Sequence, residues 1–325
     1  MLHFCTLFDS NYLARALAMY RSLERHCPAF HLYVFAFDAK TEEVLTTLSL
    51  KNITVIGLPT FEDEALLSVK GDRTRAEYCW TATSSTIRYV LHTYKTPHCI
   101  YLDADLYFYR NPQLLIDEIP LDKSVLITAH RYTPAYDKSA LSGKYCVQFM
   151  YFRNDAAGLE VLEWWRNACL EWCYNRFEAG KFGDQKYLDD WTTRFSTVHE
   201  LQHLGGGLAP WNIQQYCITK SLEMIEKKSN TSFSAVFFHF HGVKIYPPPH
   251  AIYAPKAYRL NGSVRKLFYR PYVAELRAIG AELQLQWPGY DFNASGSLSA
   301  YWKQNLLVGN LEFIRRNLLS YFFSK

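Results

Sequence analysis

Residues 99–109 read CIYLDADLYFY, an apolar run that ends in two carboxylates, Asp103 and Asp105, before a second apolar run begins. A carboxylate set beside so much hydrocarbon is costly unless a cation or a cluster of donors compensates it. Two carboxylates at the tip of a strand make a hard oxygen site for Mg²⁺ or Mn²⁺, and such an ion can be shared with a diphosphate. The plain structural alternative is a solvated turn after a strand. The context, a strand before and a turn after, is what sets this pair apart from scattered acids.

The rest of the chain has to supply a sheet for that strand. Short apolar runs at 3–8, 31–37, 53–58 and 99–103 alternate with amphipathic stretches. Ser10 is a candidate cap for a helix with Leu13, Ala16, Leu17, Tyr20 and Leu23 on one face. Further helical stretches start at Thr41 and span 77–94. Strand and helix in series predict an α/β fold with a mainly parallel sheet and right-handed crossovers. Ligands of such sheets bind at the carboxyl ends of the strands, where Asp9, Asp103 and Asp105 all fall. Later strands are expected at 124–128, 145–152 and 235–241, with Asp155 capping a long helix and a second helix starting near Asp184. With 325 residues, 49% of them hydrophobic, the chain can bury a large core in one large domain or two modest ones.

Pro247, Pro248 and Pro249 and a shift in charge mark a boundary near residue 246. Residues 246–325 hold ten Lys or Arg against four Asp or Glu, whereas residues 1–245 hold 25 against 27. The division expected is 1–245, with a basic and mostly helical extension at 246–325. So balanced a main body argues against a nucleic-acid partner. The extension shows helical patterns at 264–280 and 297–323. In the second, Leu307, Leu311, Ile314, Leu318 and Phe322 form a stripe beside Arg315 and Arg316, suited to packing on its own domain or to an anionic membrane surface. No run approaches the roughly 18 apolar residues of a spanning helix, and the N-terminus lacks a secretory pattern. Eight cysteines without a C-x-x-C pair read as reduced thiols of a cytosolic protein.

Three further stretches carry polar chemistry. FGDQKYLD at 182–189 sets Asp184 beside Gln185 at a helix start, as a cap or as an acid–amide pair. GGGLAPWN at 205–212 joins three glycines to Trp211 and Asn212, allowing close ligand approach or a tight loop. FFHFHG at 237–242 alternates, so His239 and His241 face one side of a strand, as core residues or as ligands.

In the order YLDAD, FRND, FGDQKYLD, GGGLAPWN and HFHG, residues 1–245 resemble bacterial glycosyltransferases of the GT-A fold, and among them glycosyltransferase family 8 and its relatives in surface-polysaccharide clusters. The resemblance implies a nucleotide-diphospho-sugar transferase fold, Rossmann-like, with Mn²⁺ or Mg²⁺ held by Asp103, Asp105 and His239, and His241 as the fallback. Thr6, Asp9 and Tyr12 fall where the family's first strand meets the nucleotide. Asp184 and Gln185 match its pair facing the transferred sugar and the acceptor. Trp211 and Asn212 join Asp103, Asp105 and Gln148 in the donor-binding set. Gln148 is included because the family's Asn-Ser-Gly segment aligns near 146–148. The family often has an Arg on the helix before YLDAD; here Thr86 stands there, with Arg88 two residues on. The family's Lys sits one residue later than Lys244, which with Lys144, His130 and Arg131 is a candidate for further positive charge.

The expected activity is therefore transfer of a hexose, with retention, from a nucleotide sugar such as a UDP-sugar. The acceptor would be a glycan or lipid-linked saccharide in surface-polysaccharide synthesis, at the cytoplasmic face of a membrane. Two alternatives stay open: a nucleotidyltransferase that forms sugar nucleotides, and a non-catalytic sugar-nucleotide-binding protein. The first is disfavoured because residues 7–12 read LFDSNY where such enzymes usually carry a Gly-rich, basic loop.

Overall fold

The computed structural model describes residues 1–219 and 221–302. At its centre, a sheet of seven strands is built from β1 (Leu2–Phe8), β2 (Phe30–Ala36), β3 (Ile53–Gly57), β4 (His98–Leu102), β6 (Val125–Ala129), β7 (Tyr145–Arg153) and β8 (Val198–Glu200). The spatial order is β3-β2-β1-β4-β7-β6-β8. Strands β1 to β4 are mutually parallel, β7 runs antiparallel between β4 and β6, and β8 is parallel to β6. Strand order reverses between β1 and β4, so loops leave their carboxyl ends in opposite directions and open a crevice there.

Side chains alternate between two cores, as the period of two demands, except in β7, where the register against β6 shifts and Tyr145 and Val147 face the core opposite to Phe149 and Tyr151. Phe4, Leu32, Ile100, Phe149 and Tyr151 face one side; Cys5, Tyr33, Tyr101, Met150 and Phe152 face the other. Helix Arg75–Thr93 covers the second face together with helix Ala156–Glu171. Helix Leu13–His26 covers the first, and Arg270–Gln286 packs against it. Val264, Phe268, Tyr272, Leu276 and Ile279 belong to that first core, so the chain beyond the proline run is packed into the same hydrophobic mass. Arg15 reinforces the join from below, donating to the carbonyls of Val243 (3.0 Å) and Asn293 (3.2 Å).

Helix starts follow signals in the sequence. Asp38, Asp63 and Asp155 each accept a backbone N–H at their N-caps, and Thr74 forms a capping box with Glu77. Helix Arg270–Gln286 is preceded by a π-turn at Arg265–Tyr269, a local widening of the kind that accommodates displaced backbone bonding near Pro271.

Three expectations change in detail. Ser10 caps no long helix: Asp9 accepts the N–H of Asn11 to cap a single 3-10 turn at Ser10–Tyr12, and the Ser10 hydroxyl donates to Asp38 at 2.7 Å. The helix near Asp184 is a 3-10 stretch, Gln185–Asp190, followed by one turn at Trp191–Arg194. The strand expected at 235–241 shortens to Phe237–His239. It leaves the main sheet to pair with β5 (Leu106–Phe108), placing His239 opposite Leu106. A meander of β9 (Tyr216–Ile218), β10 (Glu223–Glu226) and β11 (Ser232–Ser234) precedes it, so Phe237–His239 is β12. The stripe from Leu307 to Phe322 lies outside the described residues. Among the described residues no helix is long and apolar enough to cross a membrane.

Because Leu276 is fully buried in the core shared by helix Arg270–Gln286 and the sheet, Leu276→Ala should lower the unfolding free energy by about 2–5 kcal/mol. Far-ultraviolet circular dichroism and tryptophan fluorescence should report the loss at one common denaturant midpoint. Two separate midpoints would mean that this helix melts by itself.

Candidate active site

The crevice between β1 and β4 widens into a cleft of about 750 Å³, within the range of pockets that take a ligand of nucleotide-sugar size. Asp103 closes β4, and its N–H bonds the Gln148 carbonyl at 3.0 Å. The Leu106 N–H returns to the Asp103 carbonyl at 3.2 Å, so residues 103–106 form a tight turn. Both carboxylates line the cleft. The Asp105 carbonyl accepts the N–H of Phe240 at 3.0 Å, which ties this turn to the end of β12 and brings His239 over it.

There the His239 ring meets both acids. Its Nε2 lies 3.0 Å from Asp105 Oδ1 and 3.8 Å from Asp103 Oδ2. Its Nδ1–H donates to Gln148 Oε1 at 2.6 Å, which fixes the tautomer and leaves Nε2 aimed at the carboxylates. Burial alone favours a neutral ring, but the charge and hydrogen bond of Asp105, helped by Cys146 and Asp103, push His239 well above its ordinary value. Burial works against ionised Asp105 too, yet His239, with His241 and Arg15 behind it, holds that carboxyl below the usual range. Asp103 is held above it, chiefly by burial, with Asp105's charge adding and His239's opposing. Two carboxylates and an imidazole nitrogen already oriented by the Gln148 amide are donors suited to a divalent ion.

His241 lines the same cleft, its ring centroid 5.7 Å from that of His239. Its side chain is open to solvent; desolvation within the cleft, then the charge of His239, lower it to about 4. Trp211 sits edge-on to both rings, at 5.3 and 5.7 Å, and is anchored by an Nε1–H bond to the His130 carbonyl. Across the cleft stand Asp184 and Gln185. Asp184 occupies the N-cap position without capping. Its carboxyl is buried, with no hydrogen-bond partner for Oδ2 among the described residues. Burial and the charge of Asp103 raise it to about 7. Gln185 Nε2 donates to the Ser142 carbonyl at 2.7 Å.

At the other end Asp9 pairs with Arg75 Nε at 2.8 Å, and Arg75 also reaches Asp38 at 2.9 Å. Tyr12, 44% exposed, lines the same cleft; the charge of Asp105, then desolvation, push its phenol up to about 12.

Three expected site residues do not line the cleft. Thr6 is fully buried within β1, short of the carboxyl end where Leu7, Phe8 and Asp9 line the cleft. Asn212 spends its amide on backbone, accepting from Ala209 N–H and donating to the carbonyls of His130 and Gly207. Gln148 stands behind His239. The glycine run serves this packing: a Cβ on Gly207, at φ +90°, would meet Thr128 Cγ2 at 2.8 Å and Gln148 Nε2 at 3.1 Å, and one on Gly205 would sit 1.9 Å from the Ser234 carbonyl. The suggested cations also lie elsewhere. Lys144 pairs with Glu200 at 2.7 Å, Arg131 donates to three carbonyls, Lys244 is exposed outside the lining and Arg88 pairs with Glu163. His130 lines the cleft but is driven down to about 3, chiefly by burial. Thr86 is buried, donating to the Thr83 carbonyl.

Sequence reading missed Arg75 and Lys138, the Lys and Arg side chains that line the cleft among the described residues, and Cys146. The sulfur of Cys146 and ligand atoms of Asp103 and His239 lie within 4.8 Å of one another. Burial pushes this thiol up, against the pull of His239. Its position two residues before Gln148 on β7 was the available signal, since i and i+2 share a face.

The raised Asp184 has a sign that can be checked. The folded chain keeps this proton up to about pH 7, whereas the unfolded chain releases it near the ordinary value of about 4. Between those limits the native state binds more protons, so the stability this group contributes is full below the lower limit and is lost as pH rises to the upper. Denaturant titrations in chelator across that window should therefore show a downward slope that Asp184→Asn reduces. Parallel curves for the two proteins would contradict the assignment.

No protein-family model matches the chain. It is 28% identical over 296 residues to the uncharacterized protein YfnD of Bacillus subtilis strain 168, covering 89% of this chain and 93% of YfnD. To the uncharacterized protein YfnF of the same organism it is 31% identical over 250 residues, covering 74% of this chain and 82% of YfnF. Among solved structures, the galactosyltransferase LgtC in complex with donor and acceptor sugar analogs superposes with a TM-score of 0.53 at 12% identity, covering 85% of this chain and 96% of LgtC. That likeness and the sheet order establish a GT-A fold, and the identity to YfnF places the chain in the family of that Bacillus subtilis protein.

Proposed function

We propose that this protein is a metal-dependent glycosyltransferase that moves a hexose from a nucleotide sugar, a UDP-sugar by preference, to a hydroxyl of a glycan or lipid-linked saccharide. The observation that carries the reading is the meeting of Asp103, Asp105 and His239 at the strand-order reversal of a GT-A sheet, with Asp184 and Gln185 across the same cleft. Resemblance to glycosyltransferase family 8 supports retention of anomeric configuration and a place in surface-polysaccharide synthesis.

Asp103, Asp105 and His239 are the residues that would hold Mn²⁺ or Mg²⁺. When bound, the ion supplies positive charge against the diphosphate as the glycosidic bond breaks, an interaction worth more in the transition state than before it. The protein's own groups do the rest. Gln148 holds the His239 ring in one tautomer. Asp9 and Tyr12 offer an acceptor and a donor toward the nucleoside end of the cleft. The oxocarbenium-like sugar is left facing Asp184 and Gln185, whose oxygens stabilise positive charge and orient the acceptor hydroxyl. Trp211 stands edge-on to the His239 and His241 rings and forms that wall of the cleft.

Incubation with UDP-sugars and Mn²⁺, followed by assay of released UDP, tests the activity. Asp105→Ala should abolish release while circular dichroism stays native; unchanged turnover would remove the metal assignment. The excess of Lys and Arg in 246–325 supports peripheral contact with an anionic membrane. Deleting 297–325 should then weaken sedimentation with anionic liposomes while leaving UDP release intact. Equal sedimentation of the truncated chain would count against that contact.

A further inference from the structure

We propose that Cys146 is itself a ligand of the divalent cation, so that the centre offers oxygen, nitrogen and sulfur donors and prefers borderline cations such as Zn²⁺ or Co²⁺ to Mg²⁺. The inference rests on the metal reading above and changes the chemistry of its donor set. Ligand atoms of Asp103, Cys146 and His239 cluster within 4.8 Å, close enough for one ion to reach all three. The arrangement follows from the strands. Cys146 and Gln148 share a face of β7; Gln148 grips His239 at Nδ1, and Cys146 stands beside the same ring. Cys146 lines the cleft and is buried against Trp211 and Ala209, so little water competes for its sulfur. Among the described residues no other cysteine joins a group of metal-ligating side chains.

Carboxylate, imidazole and thiolate together form a set that Zn²⁺ and Co²⁺ accept readily, whereas Mg²⁺ demands oxygen ligands. On binding, the sulfur lone pair goes to the cation and the thiol proton passes to solvent.

The test is spectroscopic. The full chain, stripped with chelator, is titrated with Co²⁺. Wild type should show visible d–d bands together with a near-ultraviolet sulfur-to-cobalt charge-transfer band. Cys146→Ser should keep the visible bands and lose the near-ultraviolet one, and Asp103→Asn should weaken both. Loss of a group that merely orients a ligand already costs about 10–100-fold in metal affinity, so Cys146→Ser should weaken Zn²⁺ binding by at least about tenfold while leaving Mg²⁺ binding unchanged. Visible bands without the charge-transfer band in wild type would overturn the proposal and leave the metal reading standing; that spectrum decides even if Cys146→Ser fails to fold. A charge-transfer band that survives in Cys146→Ser would assign the sulfur elsewhere and overturn it too. If wild type takes up no Co²⁺, this proposal and the metal reading fall together.

Discussion

Two carboxylates drawn into a protein wall repel each other and lose their hydration, and the fold must answer both costs at once. Here the answer is an imidazole on a different strand, 3.0 Å from Asp105. The 103–106 turn throws both acids into the cleft, and the hydrogen bond from Phe240 to the Asp105 carbonyl brings the end of β12 over them. Gln148, the packed glycines and the Trp211 indole all serve to hold that one ring. Without His239 the pair would be a buried like-charge contact, which proteins ordinarily relieve by protonation. With it, the site keeps enough negative charge to attract a cation.

Much of the fold was legible because its signals are local. Alternating apolar runs gave the strands, the capping Asp155 marked a helix start, and the apolar–acidic–apolar run at 99–109 located the crevice. The resemblance placed His239 in register with the acids. Other features depended on partners distant in sequence. Thr6 lies within β1 and Asp9 at its exit, and how deep the cleft reaches decides that Leu7, Phe8 and Asp9 meet it while Thr6 stays in the core. Asn212 is polar and sits next to Trp211, yet it closes a loop by taking three backbone groups.

The glycines and cations that the sequence left open share a physical cause. Three consecutive glycines allow either an approaching ligand or an approaching backbone, and the sequence alone does not distinguish them. In the folded chain the neighbours are Ser234, Thr128 and Gln148. Likewise a Lys or Arg near a motif in sequence has a long side chain and many carbonyls or acids within reach. Arg131 and Lys144 are consumed that way, whereas Arg75, at the start of a helix well upstream, reaches Asp9. Charge placement is a property of the tertiary structure.

Asp103 and the imidazole stand on two different sheets, while Asp105 directly precedes β5 of the pair that carries His239. Asp103 ends a strand of the seven-stranded sheet, while His239 belongs to the β5–β12 pair, which rests on that sheet through rings such as Phe149 against Phe237, stacked at 5.4 Å. The bite of the site is thus set by the thickness of an aromatic spacer as well as by a hydrogen-bonded ladder. Exchanging such a ring for a slimmer one would shift His239 against Asp103, so the jaw depends on core residues that never enter the cleft.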